Sequence, residues 1–169
     1  GAGHQYLIRN GTLSARTLDV YDASSSTSRL AILGTGLIGI NTSTPVARVD
    51  VNDSSNPAMA ASGQYFSRTQ YVAAGTNATT INFNNGNVVD VHMGTSTTFT
   101  LSNPQDGARY LIYIRQDGTG SRAPTFPAAV LFSGGSTPTW TTTASKVDIV
   151  TLVYNASSSK YYAGSSLNY

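Results

Sequence analysis

The sequence contains no glutamate and no cysteine. All eight of its acids are Asp, eight of its ten bases are Arg, and charged residues make up only 11% of the chain. That is less than half the share usual in a soluble domain. With Glu missing and only two Lys, two of the best helix formers are nearly gone. The lack of cysteine excludes a disulfide framework and a thiolate metal site, and leaves the redox compartment open. Only two histidines exist, His4 and His92, and neither has a second His or a Glu at metal-ligand spacing. No G-x-S-x-G elbow is present. The longest apolar stretches are short, such as residues 30–33, so nothing here spans a bilayer as a helix. No signal-peptide pattern is visible. No Lys/Arg run accompanies the net charge of +2 and the pI near 9.0. A clustered basic face is what a nucleic-acid partner requires. Nucleic acid, membrane insertion, metals and cofactors are therefore all expected to be absent. The chain opens on Gly, which suggests a fragment or a processed product.

What the sequence does contain is hydroxyl and amide. Ser and Thr supply 43 residues and Asn another 12. A surface of that kind is solvated by neutral polar groups. Together with plentiful β-branched and aromatic residues, it predicts an all-β protein with turns rich in Gly, Asn and Ser. A composition change falls near Gly63 and divides the chain into residues 1–62 and 63–169. Before it, short apolar clusters alternate with tracts such as Ser24-Ser25-Ser26-Thr27-Ser28. So polar a stretch can bury little core alone and calls for partner chains. It also contains an echo. Leu18-Asp19-Val20-Tyr21-Asp22 and Val49-Asp50-Val51-Asn52-Asp53 each precede a Ser tract. An Ala-Arg pair lies just upstream of each, at Ala15-Arg16 and Ala47-Arg48. Self-similarity at an offset of 31 residues suggests a repeating unit.

The second half reads as a compact antiparallel domain. Strands are expected at 64–73, 79–83, 88–93, 97–101, 109–116, 124–126, 129–132, 146–154 and 160–163. Turn chemistry separates them, for example Asn84-Asn85-Gly86, Asp117-Gly118 and Ser133-Gly134-Gly135. Tyr110, Ile112 and Ile114 share one face of their strand. Val147, Ile149, Thr151 and Val153 lie opposite Val150 and Leu152. Apolar residues on both faces mark 146–154 as a central strand, or as one with a face in a subunit contact. Short strands in this number suit a sandwich or jelly-roll.

Several patterns imitate functional motifs. Gly34-Thr35-Gly36-Leu37-Ile38-Gly39 has the literal G-x-G-x-x-G spacing of a dinucleotide loop, which must open a helix. The residues that follow, Ile40-Asn41-Thr42-Ser43-Thr44-Pro45, are β-branched and polar and end in Pro, so a Gly-rich turn between strands is the expected reading. The sequons at Asn10, Asn41, Asn52, Asn77 and Asn155 carry little information in so Ser/Thr-rich a chain. Asp90 and Asp148 lie inside strand patterns, as hydrogen-bond partners or subunit contacts. Trp140, Tyr161, Tyr162 and Tyr169 sit beside Gly/Ser/Asn turns or at the C-terminal end. Such aromatics suit stacking on sugar rings, and they are the candidate receptor-binding residues. The competing reading is that they pack the domain's own rim, the commoner fate of aromatic side chains.

Two stretches resemble phage virion proteins. Leu18-Asp19-Val20, Arg29-Leu30-Ala31-Ile32 and Ile38-Gly39-Ile40-Asn41-Thr42-Ser43-Thr44-Pro45-Val46-Ala47-Arg48-Val49-Asp50-Val51 look like the G-I-G-T-x-x-P-x-x-x-L-x-V repeat of phage tail-fibre shafts. The departure is Asn41, where the family commonly has Gly. Phe99-Thr100-Leu101, the run Asn103-Pro104-Gln105-Asp106-Gly107-Ala108-Arg109-Tyr110 and its continuation to Arg122, Lys146-Val147-Asp148-Ile149-Val150-Thr151 and Tyr161-Tyr162 are similar to a β domain found at the ends of phage fibres. The resemblance implies a homotrimeric, non-enzymatic virion component, with an intertwined β shaft followed by an antiparallel β-sandwich, jelly-roll-like head. On this reading the chain is a distal tail-fibre fragment whose head meets a bacterial surface polysaccharide or other cell-surface receptor, and its other partners are virion proteins. The alternative is a capsid decoration or head-fibre protein attached to the phage shell, and a third is a carbohydrate-active enzyme.

Overall fold

A computed structural model describes residues 5–9, 16–55 and 57–169. His4, the sequon at Asn10 and Ala15 of the echo lie outside the described residues. The chain divides into two compact units, residues 1–65 and 66–169.

The first unit is one sheet of five short strands: β1 (Tyr6–Arg9), β2 (Arg16–Asp22), β3 (Thr27–Leu33), β4 (Ile38–Ile40) and β5 (Val49–Val51), hydrogen-bonded in that order. The first four pair antiparallel and β5 runs parallel to β4. Local chemistry explains the turns. The buried Asp22 carboxylate accepts from the N–H groups of Ser24 and Ser25, and from the Arg29 guanidinium at 2.8 Å. This closes the Ser tract into a hairpin. The G-x-G-x-x-G run is the β3–β4 turn, with Gly36 at φ +80° and no helix after it. Asn41 stands at φ +57°, a left-handed conformation open mainly to Gly and Asn. Its side chain donates to the Asn52 carbonyl and accepts from Arg29. The two copies of the echo fall on β2 and β5.

Register assigns the side chains of this sheet to faces. Directly paired residues share a face, and so do residues two apart. Ile8, Val20, Leu30, Ile40 and Val51 form one cross-strand row, and Leu18, Ile32, Ile38 and Val49 form the next row on the same face. Every one of these nine is Ile, Leu or Val, yet none is buried. The opposite face carries Asp19, Ala31 and Gly39, all buried.

In the second unit the chain alternates between two sheets. Strands β6 (Thr69–Ala74), β8 (Val88–Met93), β10 (Arg109–Gln116) and β12 (Val130–Phe132) belong to a six-stranded sheet, and β7 (Ala78–Asn82), β9 (Thr97–Ser102) and β11 (Pro124–Thr125) to a three-stranded one. Because each connection changes sheet, successive strands within a sheet run parallel: β6, β8 and β10 in one, β7, β9 and β11 in the other. The facing strand is itself the crossover that parallel pairing requires. Strands β13 (Val147–Asn155) and β14 (Lys160–Ser166) then add as an antiparallel hairpin, giving the order β12-β14-β13-β10-β8-β6. The all-β class holds. The pairing differs from the wholly antiparallel expectation, since alternation between sheets makes the unit mixed.

One cluster of buried side chains spans both sheets. It takes Ile81 and Phe99 from the small sheet, and Val89, Val91, Met93, Ile112, Ile114, Val150 and Leu152 from the large one. Full burial stabilises each by roughly 1.5–3 kcal/mol. The residues 116–122 are locked by their own polar groups. Gln116 donates to the Arg122 carbonyl at 2.7 Å and accepts from its N–H at 3.1 Å. Asp117 accepts from Thr119 and Gly120 N–H and from the Arg122 guanidinium. These bonds, the Gly120 N–H above all, hold its carboxyl below the usual carboxylate range against a smaller opposing effect of burial. Gly120 is obligatory: φ is +71°, and a Cβ would lie 2.5 Å from the Thr142 carbonyl.

Candidate functional site

The four aromatics do not form one rim. Trp140 is half-buried among Phe126 and Phe132, with ring centroids 5.4 and 5.7 Å away, and packs against the core. Its indole N–H is buried without a protein acceptor. Tyr161 is 4% exposed and packs against Tyr154 and Phe83. Burial, reinforced by neighbouring Tyr154 and Tyr110, raises its phenol to about 12. Tyr162, the next residue along the strand, points the other way and is 53% exposed. Tyr169 is 61% exposed.

Strand β13 sets the spacing between them. At its start, Asp148 is buried and accepts from Thr141 N–H at 2.8 Å and Asn168 N–H at 3.0 Å. Val147 exchanges both backbone hydrogen bonds with Tyr169. One carboxylate thus ties down the segments bearing Trp140 and Tyr169. Tyr162 pairs with Val153, six residues along, or roughly 20 Å at the rise of a strand. Trp140 and Tyr169 therefore mark one end of the strand, and Tyr161 and Tyr162 the other.

The outer face of the large sheet carries two further features. Tyr162 lies in a row with Leu131 and Val153, all exposed. Beside it is an apolar hollow of about 240 Å³ over Val88, Leu111 and Val153. At the other edge is a more polar cleft of about 260 Å³, lined by Tyr71, His92, Arg115 and Asp117 among others. Parallel register brings its groups together. Tyr71 pairs with Asp90 and Asp90 with Tyr113, while His92 pairs with Arg115. Arg115 Nε donates to Asp90 Oδ1 at 2.6 Å, and His92 Nε2 lies 3.5 Å from Asp90 Oδ2. The Tyr71 and His92 rings are 4.8 Å apart. Asp90 and Asp148 both act as hydrogen-bond partners. Tyr71 and Arg115 carried no signal in the sequence. Asp90 stands out there only as a strand residue with a hydrogen-bonding or subunit-contact role, and His92 only as one of two histidines without metal-ligand spacing.

Among the described residues, no group of His, Asp, Glu or Cys is arranged to hold a metal, and no helix is long and apolar enough to cross a membrane. Residues 69–159 match a family model described as "Putative phage tail fibre C-terminal domain". No curated protein and no solved structure matches the chain.

Proposed function

The chain belongs to the phage tail fibre C-terminal domain family, and from that premise we propose that it is the distal part of a homotrimeric fibre whose second unit meets the host surface. A member of this family is a structural part of the virion and associates with other virion proteins. The observation that carries the assembly is the incompletely covered apolar face of the first unit, with three of its nine side chains exposed and six half-buried. Nine Ile, Leu and Val side chains on one face of a five-stranded sheet need a cover, and Ile8 is 78% exposed. Two further copies of the same chain supply identical faces, so three sheets close on one another around a common axis. The shaft-like repeat fits this role, since it builds β4 and β5 on that face. Light scattering of the full chain is expected to give a mass of three chains that does not change on dilution. A stable monomer overturns the assembly.

Receptor binding belongs to the second unit on this reading. Tyr162 and Tyr169 supply exposed rings beside hydroxyl-rich segments, suited to a surface polysaccharide. Trp140 contributes its open edge, and Tyr161 supports Tyr162 from below. Three copies raise a weak single-site affinity to useful avidity. The test is a fluorescent full-length fibre on the propagating bacterial strain. Tyr162→Ala and Trp140→Ala are each expected to reduce binding, and undiminished binding by both folded variants removes these residues from the receptor surface.

A further inference from the structure

The cleft at the β6 edge of the large sheet has a composition that packing does not require. Tyr71 is 66% exposed, yet its ring is braced by His92 at 4.8 Å. An exposed ring held in place offers a flat face to another flat, weakly polar surface, and the C–H face of a pyranose is such a surface. Strand β6 is the edge of its sheet among the described residues. Arg115 commits Nε to Asp90 and nothing else in hydrogen bonding, which leaves its two terminal amino groups as donors. His92 lines the cleft beside it and adds a ring nitrogen, while Asp90 holds Arg115 from behind.

Charge narrows the ligand class. Arg115 is paired with Asp90, and Arg122 with Asp117. Each cation in or beside the cleft is matched by a carboxylate, so a net anionic or cationic ligand finds no uncompensated partner. Size narrows it further. A cavity of about 260 Å³ lies below the roughly 300–1,000 Å³ typical of drug-sized ligands, which suits one ring. We propose that Tyr71, His92 and Arg115, the last held in place by Asp90, form a subsite for a single neutral hexose unit, with Tyr71 as stacking platform and Arg115 as hydroxyl-binding donor. The identity of that unit as part of a host polysaccharide rests on the receptor reading above.

The experiment is a nuclear magnetic resonance titration of the full chain with the methyl glycosides of glucose, galactose, mannose, rhamnose and N-acetylglucosamine, and with glucuronate as charged control. At least one neutral glycoside is expected to shift the Tyr71 and His92 signals saturably. Tyr71→Ala should weaken that binding by about fivefold to tenfold, and Tyr71→Phe should retain it. Comparison of melting curves separates a lost ring from a lost fold. Absence of shifts with all five neutral glycosides, or tighter binding of glucuronate than of any of them, overturns the subsite. Host-cell binding by the wild-type fibre, measured in parallel, decides the receptor reading alone. A fibre that ignores cells but binds a glycoside at Tyr71 keeps the subsite and loses the receptor role.

Discussion

The two units are built from the same polar, charge-poor alphabet, but they dispose of their apolar residues in opposite ways. Of the sixteen buried hydrophobic residues described, fifteen lie in the second unit, and the first contributes only Ala31. The first unit is not short of Ile, Leu and Val. It collects nine of them on one sheet face and buries none of them fully among the described residues. A second sheet does the covering in residues 66–169, and no second sheet exists among the described residues of the first unit. A lone small sheet with one apolar face is at best marginal in water. On the proposed assembly, stability is internal to the second unit and intermolecular in the first.

The largest expected effect breaks that division directly. Ile40 sits near the middle of the row from Ile8 to Val51. Ile40→Asp places a charge where three faces are proposed to meet, and burying an unpaired carboxylate costs several kcal/mol per chain. The full chain should fall from three copies to one by light scattering, while the melting of the second unit hardly moves. In the same test, residues 63–169 alone should keep β circular dichroism and melt cooperatively. Residues 1–62 alone should do neither at low concentration. A cooperatively folded monomer of residues 1–62 ends the comparison.

Much of this was legible beforehand, and what was not has physical causes. The expected strands 88–93 and 109–116 match β8 and β10 to the residue, and the apolar residues on both faces of 146–154, read as a central strand or a subunit contact, belong to a strand that lies between β10 and β14. The expected strand over 64–73 begins only at Thr69. Pairing direction was not readable. Asn84-Asn85-Gly86 has the chemistry of a hairpin turn, but here it forms a short 3₁₀ turn with Gly86 at φ +142°, and the chain changes sheet. Alternation along a strand reveals its faces and says nothing about which strand lies beside it. The cleft is invisible for that reason, because Tyr71 reaches His92 and Arg115 only through parallel register. Tyr161 and Tyr162 were proposed together, although adjacent strand residues face opposite ways and only one of them is exposed. Trp140 and Tyr169 are grouped in the sequence by position, beside a Gly/Ser turn and at the C-terminal end, and their shared anchor on Asp148 appears only in three dimensions.

A second prediction sharpens the internal side of the comparison. Phe99 is fully buried and packs edge-on against Phe126 at 5.2 Å. Phe99→Ala should destabilise the second unit by about 3–5 kcal/mol, as large-to-small core changes do. Gly120→Ala should be of similar size or slightly smaller, since the Thr142 carbonyl and Ala144 backbone leave no room for a Cβ. Urea melts of residues 63–169 measure both. Neither should alter association of the full chain in conditions where the second unit remains folded. Loss of trimer mass under those conditions means that the second unit also holds the copies together.

The smallest effect is a pH dependence that belongs to the second unit alone. Tyr161 lies in its core, and burial lifts the phenol from 10.0 to about 12. The folded value is the higher of the two, so the unfolded chain releases this proton first. The contribution to stability is complete below pH 10 and disappears as pH rises from 10 to 12. A shift of that size corresponds to roughly 2 kcal/mol at the top of the window. Tyr161→Phe keeps the ring that packs on Tyr154 and removes the ionisation. Urea melts of residues 63–169 at pH 8 and pH 11.5 should show a larger alkaline loss in wild type than in the variant, by up to that amount. Equal losses would mean that the phenol reaches solvent in the folded state. Tyr161 would then regain a place on the binding surface beside Tyr162, and the contrast between the sealed second unit and the open first one would weaken at that corner of the core.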